Sequence, residues 1–223
     1  MADWLALHGL QRDDCRMRLA IAAVGPMGAV PDPAFPVAEG ISVVLAAMEQ
    51  ALPSAKDILG RIRTEVRIDL APDLQRFPRA FTLHDDGRGL PYISCPVRGR
   101  CSDLLLVAHE IGHACQVLAC PTSNLPPVLR ETAAYLAEAL VCASAGPALR
   151  NIHLARTARI MARDGAALLH ALDAPNVAYH YNWNYPLARD LAARAMLHLK
   201  PQDLWGVFAG GIDMSQLWRL PPA

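Results

Sequence analysis

His109-Glu110-Ile111-Gly112-His113 is the stretch on which the reading of this chain turns. It has the form H-E-x-x-H, and the residues around it, Ser102 to Ala119, form one helical run that Pro121 follows. Side chains four apart on a helix share a face, so both imidazoles can reach one Zn²⁺, with the glutamate between them beside a water on that metal. Five residues also recur by chance, so the flanks must carry the assignment.

A hydrolytic zinc site needs a third protein ligand and an open fourth position. Glu131 is the candidate. It opens the helical run Glu131-Thr132-Ala133-Ala134-Tyr135-Leu136-Ala137-Glu138, 18 residues after His113, enough chain to turn back antiparallel. Glu138 lies two turns further on the same face, placed to orient a ligand from behind. The alternative is that both are solvent-facing helix charges, as most glutamates are. Their neighbours are almost all apolar or small, which weighs against a wet face.

Outward from this core the chain divides into three stretches of a single domain spanning 1–223. Residues 1–60 read as N-terminal helices, Arg12 to Val24 and Val37 to Leu52, separated by a proline-rich loop from Gly25 to Pro36. Residues 61–100 hold a small sheet, with strands at Thr64 to Leu70, Ala80 to His84 and Leu90 to Cys95. The run Asp85-Asp86-Gly87-Arg88-Gly89 joins the last two as a turn. Residues 101–223 are a helical metal-site region. Its helices are Ser102 (as N-cap) to Ala119, Val128 to Ser144, Ala148 to Leu172, Pro186 to Leu199 and Pro201 to Phe208. The expected fold is mainly α with a small antiparallel β-sheet.

Of the 223 residues 53% are apolar, sufficient for a substantial core. The 21 basic and 21 acidic residues cancel, so no global field invites nucleic acid or a membrane surface, and neither is expected as a partner. No apolar run approaches the roughly 18 residues of a bilayer span, and Met1 to Asp14 lacks a signal layout. Six cysteines without a C-x-x-C pair complete a picture of a cytoplasmic chain with reduced thiols.

The run Pro91-Tyr92-Ile93-Ser94-Cys95, then Gly99-Arg100-Cys101-Ser102-Asp103, then Ala108 to His113, resembles the oligoendopeptidase F and thimet oligopeptidase family of zinc metallopeptidases. There a strand, a glycine, an aspartate and A-H-E-x-G-H follow in this order. Glu131-Thr132-Ala133-Ala134 with Glu138 is similar to the family's third-ligand helix. Tyr181-Asn182-Trp183-Asn184-Tyr185 is similar to its tyrosine-rich stretch. The resemblance covers residues 79–200.

It implies a zincin-type metallopeptidase catalytic core that hydrolyses short or unfolded peptides, with Zn²⁺ held by His109, His113 and Glu131. Glu110 would be the general base, and Tyr181, Tyr185 and, more weakly, His180 the donors to the oxyanion. The strand at Leu90 to Cys95 would be the sheet edge along which substrate pairs, making Tyr92, Ile93 and Ser94 substrate contacts. Against the tyrosine assignment stands a packing cluster of Tyr179, Tyr181, Trp183 and Tyr185. The chain departs from the family in being much shorter and in having Gln116 where a further histidine is common. Pro186 also biases Tyr185 away from the α region, so an extended or turn segment is expected up to a helix starting at Pro186.

Two other classes stay open. One is a regulatory zincin that cleaves a dedicated protein or peptide partner, where H-E-x-G-H is also followed by a glutamate-led helix. The other is a non-catalytic module with a structural zinc that grips peptides at the sheet edge. A short catalytic core could also act as a homo-oligomer. His84 and His153 read most simply as surface or satisfied histidines.

Overall fold

The computed structural model describes residues 1–21, 28–121, 124–174 and 177–222. Eleven α-helices and three short strands follow one another among them. Helices α1 (Ala2–His8), α2 (Arg12–Ile21), α3 (Gly40–Ala51) and α4 (Lys56–Thr64) precede strands β1 (Arg67–Asp69), β2 (Phe81–Leu83) and β3 (Tyr92–Ser94). Then come α5 (Ser102–Ala119), α6 (Pro127–Ser144), α7 (Pro147–Ile160) and α8 (Ala166–Asp173). The set closes with α9 (Asn184–His198), α10 (Pro201–Phe208) and α11 (Met214–Trp218). The expected end of the second helix at Val24, and the start of the loop at Gly25 and Pro26, lie outside the described residues. Helices α7 and α8 form one rod joined through a π-helical turn at Met161–Gly165, matching the single long helix expected there.

Mainly helical is the right class, but the sheet is mixed, not antiparallel. Its order is β1-β3-β2, with β1 parallel and β2 antiparallel to β3. The chain between β1 and β2 is long enough to pass over the place that β3 later fills. The turn between β2 and β3 closes on Asp85, whose Oδ1 accepts from Gly87 and Gly89 amides at 2.7 and 2.8 Å, both glycines having positive φ. As a result β3 is the central strand and β2 an edge. Both backbone sides of Tyr92, Ile93 and Ser94 are paired within the sheet, and Ile93 and Ser94 are fully buried. These three residues therefore cannot offer an edge to substrate. The strand that borders β3 and leaves an edge unpaired on this side is β2.

Ser102 does not cap its own helix. The cap comes from a distant loop: Asp32 accepts from the Ser102 amide at 3.0 Å and from its hydroxyl at 2.6 Å. Asp103 points back instead, its Oδ2 accepting the Arg98 and Arg100 amides at 2.8 Å each. The strand-to-helix connection is thus fixed at both ends of its loop, and with it the rotation of α5 against the sheet.

Helix α6 is the centre of the fold, buried on most of its faces between α5 and α9. Its approach to α5 is set by small residues. A Cβ added at Gly112 would fall 2.8 Å from the Ala134 Cα and 3.0 Å from the Ala137 Cβ. The N-terminal end of α6 is held from α1, where His8 Nε2 accepts the Val128 amide at 3.2 Å. Trp4 of α1 in turn donates to the Asn184 side chain on α9 at 2.9 Å.

Gly112→Ala is therefore expected to destabilise the protein by about 1–3 kcal/mol through overpacking. Gly60→Ala on α4 meets nothing within 4 Å. It should stabilise by about 0.5–1 kcal/mol, the ordinary helix gain of alanine over glycine. Urea denaturation of the two variants checks both signs.

Candidate metal centre

Helical periodicity does the first half of the work. His109 and His113 come up together on one side of α5, with Glu110 one position round and lining the same cavity, and Glu131, Tyr135 and Glu138 on the facing side of α6. The close approach at Gly112 then brings one set within reach of the other. One ligand atom each from His109, His113 and Glu131 lies within 4.8 Å of the others. Glu131 Oε2 is 3.3 Å from His109 Nε2, and Glu131 Oε1 is 3.7 Å from His113 Nε2. Tetrahedral zinc with bonds near 2.1 Å separates its ligand atoms by about 3.4 Å, so the two carboxylate–imidazole spacings fit a metal ion. A further sign is that Glu131 Oε2 is buried and, although His109 Nε2 stands 3.3 Å away, takes part in no well-formed hydrogen bond. Buried carboxylate oxygens are rarely left so, and a cation would satisfy this one.

Behind the cluster lies a chain of buried charge. His109 Nδ1 donates to Glu138 Oε1 at 2.9 Å, which fixes the ring and leaves Nε2 facing the cluster. Glu138 is completely buried, and Arg189 on α9 donates to its Oε2 at 3.2 Å. Arg189 is itself held by the Thr157 hydroxyl at 2.8 Å and stacks over Tyr135 at 4.0 Å. His153 Nδ1 stands 3.5 Å from the same Glu138 oxygen. The orienting role of Glu138 is legible in the sequence. Arg189 and His153 are not, because nothing in their local pattern distinguishes them from other helical residues.

Burial disfavours charge throughout this cluster, and the neighbours decide which charges survive. Burial pulls His109 down, but Glu131 and Glu138 on its two ring nitrogens outweigh it and lift the group to about 10. Burial takes His113 down to about 4 against the attraction of Glu131, leaving a neutral imidazole. Burial would raise Glu131, yet His109, His113 and Tyr181 hold it at about 2. Glu138 is held well below the carboxylate range against burial, chiefly by Arg189. Glu110 moves the other way: burial lifts it above the ordinary range, in the direction a general base needs.

Glu110 shares a cavity of about 240 Å³ with the three clustered residues, Tyr181 and Tyr185. It is tied to the sheet edge, since the Thr82 hydroxyl donates to Glu110 Oε2 at 2.7 Å and lies 3.1 Å from the Glu110 carbonyl. Thr82 escapes sequence reading because a β-strand threonine carries no signal of its own. His84, at the end of β2, lines the same cavity, with its Nε2 3.5 Å from Arg130.

The tyrosine stretch divides. Tyr181 donates to Glu131 Oε1 at 2.7 Å and so is bound to a prospective ligand. Tyr185 lines the cavity, and its hydroxyl makes no hydrogen bond among the described residues. Burial and the Glu131 charge raise both phenols, Tyr185 to about 12, so both stay protonated donors at neutral pH. Tyr179 and Trp183 pack edge to face, which is the packing cluster on the other side of the same turn. His180 is exposed, and its Nδ1 accepts the Asn182 amide at 3.3 Å as the cap of the 3₁₀ turn Tyr181–Trp183. It lies outside the cavity lining. The helix begins at Asn184 and not at Pro186, because proline is tolerated in a first turn, where its missing amide has no partner to lose.

No family model matches this chain, and no curated protein matches it. Among solved structures it is similar to the crystal structure of a "putative peptidase" from Chlamydophila abortus, at 14% identity and a TM-score of 0.46. The match covers 98% of this chain but only 41% of the other, so the chain spans about two-fifths of that protein. A likeness at this level carries no argument about activity. The kinship with the oligoendopeptidase F family is not shown by any of these comparisons. Among the described residues no helix is long and apolar enough to cross a membrane.

With His109 lifted to about 10, the metal-free cluster holds a proton on that imidazole at pH 8. A divalent ion needs the Nε2 lone pair, so loading at pH 8 should release about one proton. Affinity should then rise with pH, about tenfold per unit below pH 10. Calorimetric titration in buffers of different ionisation enthalpy measures the released proton directly. Glu138→Gln should weaken metal affinity about 10- to 100-fold, read by competition with a chelator.

Proposed function

We propose that this chain is a zinc-dependent peptidase, a member of the kind represented by oligoendopeptidase F, acting on short or unfolded peptides. The observation that carries the reading is a convergence in one cavity. Two imidazoles and a buried carboxylate lie at ligand spacing, a raised carboxyl stands next to them, and the free edge of β2 runs alongside.

In this reading His109, His113 and Glu131 hold the ion. Zn²⁺ supplies, when bound, Lewis acidity that polarises a carbonyl and brings the pKa of water down to about 7. Two imidazoles and one carboxylate are a donor set that catalytic zinc takes, with a fourth position left open. Glu110 takes the proton of the attacking water and returns it to the departing amine, and burial lifts its pKa in the direction that role needs. Thr82 holds the carboxylate by one oxygen, leaving the other for the water. Tyr185, with its hydroxyl uncommitted, is placed to donate to the oxyanion. Tyr181 has the different task of steadying Glu131. Substrate backbone pairs along β2 by strand addition, in the place first expected of β3.

Glu110→Gln should retain stoichiometric zinc and lose hydrolysis of a mixed peptide library, whereas Glu131→Ala should lose the metal. Tyr185→Phe should lower kcat about 10²-fold with KM little changed. Tyr181→Phe should instead weaken zinc binding. Metal analysis alongside steady-state kinetics reads all four. Full peptide turnover by Glu110→Gln, or stoichiometric zinc in Glu131→Ala, contradicts the assignment.

A further inference from the structure

Beside the metal cavity lies a second hollow, of about 510 Å³, which shares Ala80 with it. Four guanidiniums line it, those of Arg79, Arg98, Arg156 and Arg159. Two carboxylates line it as well, but both are already engaged. Asp32 is taken up by the Ser102 amide and hydroxyl, and Asp103 by the Arg98 and Arg100 amides. None of the four guanidiniums forms an ion pair among the described residues. Arginine-lined concavities of this kind are matched to carboxylates, which they can grip with two parallel hydrogen bonds.

The place of the hollow along α5 gives it a register. Asp103 and Leu106 line it, His109, Glu110 and His113 line the metal cavity, and His113, Gln116 and Val117 line a third hollow of about 430 Å³. Each step is one turn of the same helix. The third hollow also shares His84 and Arg130 with the metal cavity. On the opposite wall β2 runs from Ala80 at the arginine end to His84 at the other, and its outer edge pairs with no described strand. From Asp103 to Val117 the helix rises about 21 Å, the length of about six extended residues. Leu106 to Glu110 is about 6 Å, or about two extended residues.

We propose that the arginine hollow is the acidic subsite of the cleft. It takes a carboxylate of an extended peptide laid along β2, about two residues from the cleaved bond. The ligand is a carboxylate, either an aspartate or glutamate side chain or the free C-terminus of the peptide. This rests on the peptidase reading for the position of the bond but not for the binding of the acid.

The test uses the full chain loaded with Zn²⁺ and a series of eight-residue peptides. One aspartate is moved through the sequence, with matched lysine series, and each peptide is made with a free and an amidated C-terminus. Expected is an aspartate-over-lysine preference in kcat/KM of about fivefold or more at one position about two residues from the cut. The Arg98→Glu, Arg159→Glu double variant should invert that ratio; both side chains are exposed, so the fold should hold. A preference that survives amidation assigns the side chain, and one abolished by it assigns the terminal carboxylate. A flat profile in the wild type, or a ratio unmoved in the double variant, overturns the subsite.

Fluorescence anisotropy of labelled aspartate and lysine peptides on zinc-loaded Glu110→Gln separates the two proposals. Tighter binding of the acidic peptide, lost in the double variant, with no cleavage of any peptide by the wild type, sinks the peptidase reading and keeps the subsite. Cleavage without charge preference does the reverse.

Discussion

The structure depends on how closely α5 and α6 can approach. Gly112 faces Ala134 and Ala137 across a gap that cannot hold one more methyl group. At that spacing a glutamate on α6 reaches two histidines on α5, whereas a larger residue at Gly112 would force the carboxylate and the imidazoles apart. The same glycine lies inside the H-E-x-x-H stretch, so the residue that permits the contact travels with the residues that use it.

Close packing of this kind puts charge where water cannot follow. A lone buried carboxylate costs several kcal/mol, on the order given by effective desolvation in proteins. Glu138 meets that cost through Arg189 and His109, and Glu131 through the two histidines and Tyr181. Removing one partner would leave the others stranded, so the network is best understood as a unit that extends from Thr157 on α7 through Arg189 and Glu138 to the metal cluster. The orientation of His109 is its output.

Much of this was legible in the residues, and the reasons it was legible are physical. The period of a helix is fixed, so His109 and His113 had to share a side with Glu110 one position round from them, and Glu131 and Glu138 had to share another. Alanines around Glu131 announced a buried face. Strand order was not legible, because short strands of similar pattern pair either way, and so β3 was expected at the edge that β2 occupies. The cap of α5 came from Asp32, 70 residues away in the chain, which no local rule can find. His180 was grouped with the tyrosines by adjacency alone. The 3₁₀ turn that separates them turns its ring back on the Asn182 amide. Thr82 and Arg189 are ordinary residues locally, tied to Glu110 and Glu138 only by what the tertiary fold places opposite them.

The central claim concerns which atoms surround the ion. X-ray absorption at the zinc edge of the loaded protein tests it most directly. The account predicts two imidazole nitrogens and light oxygen donors at about 2.0–2.2 Å, four ligands in all. Scattering from sulfur at about 2.3 Å, or a shell without imidazole, would contradict it.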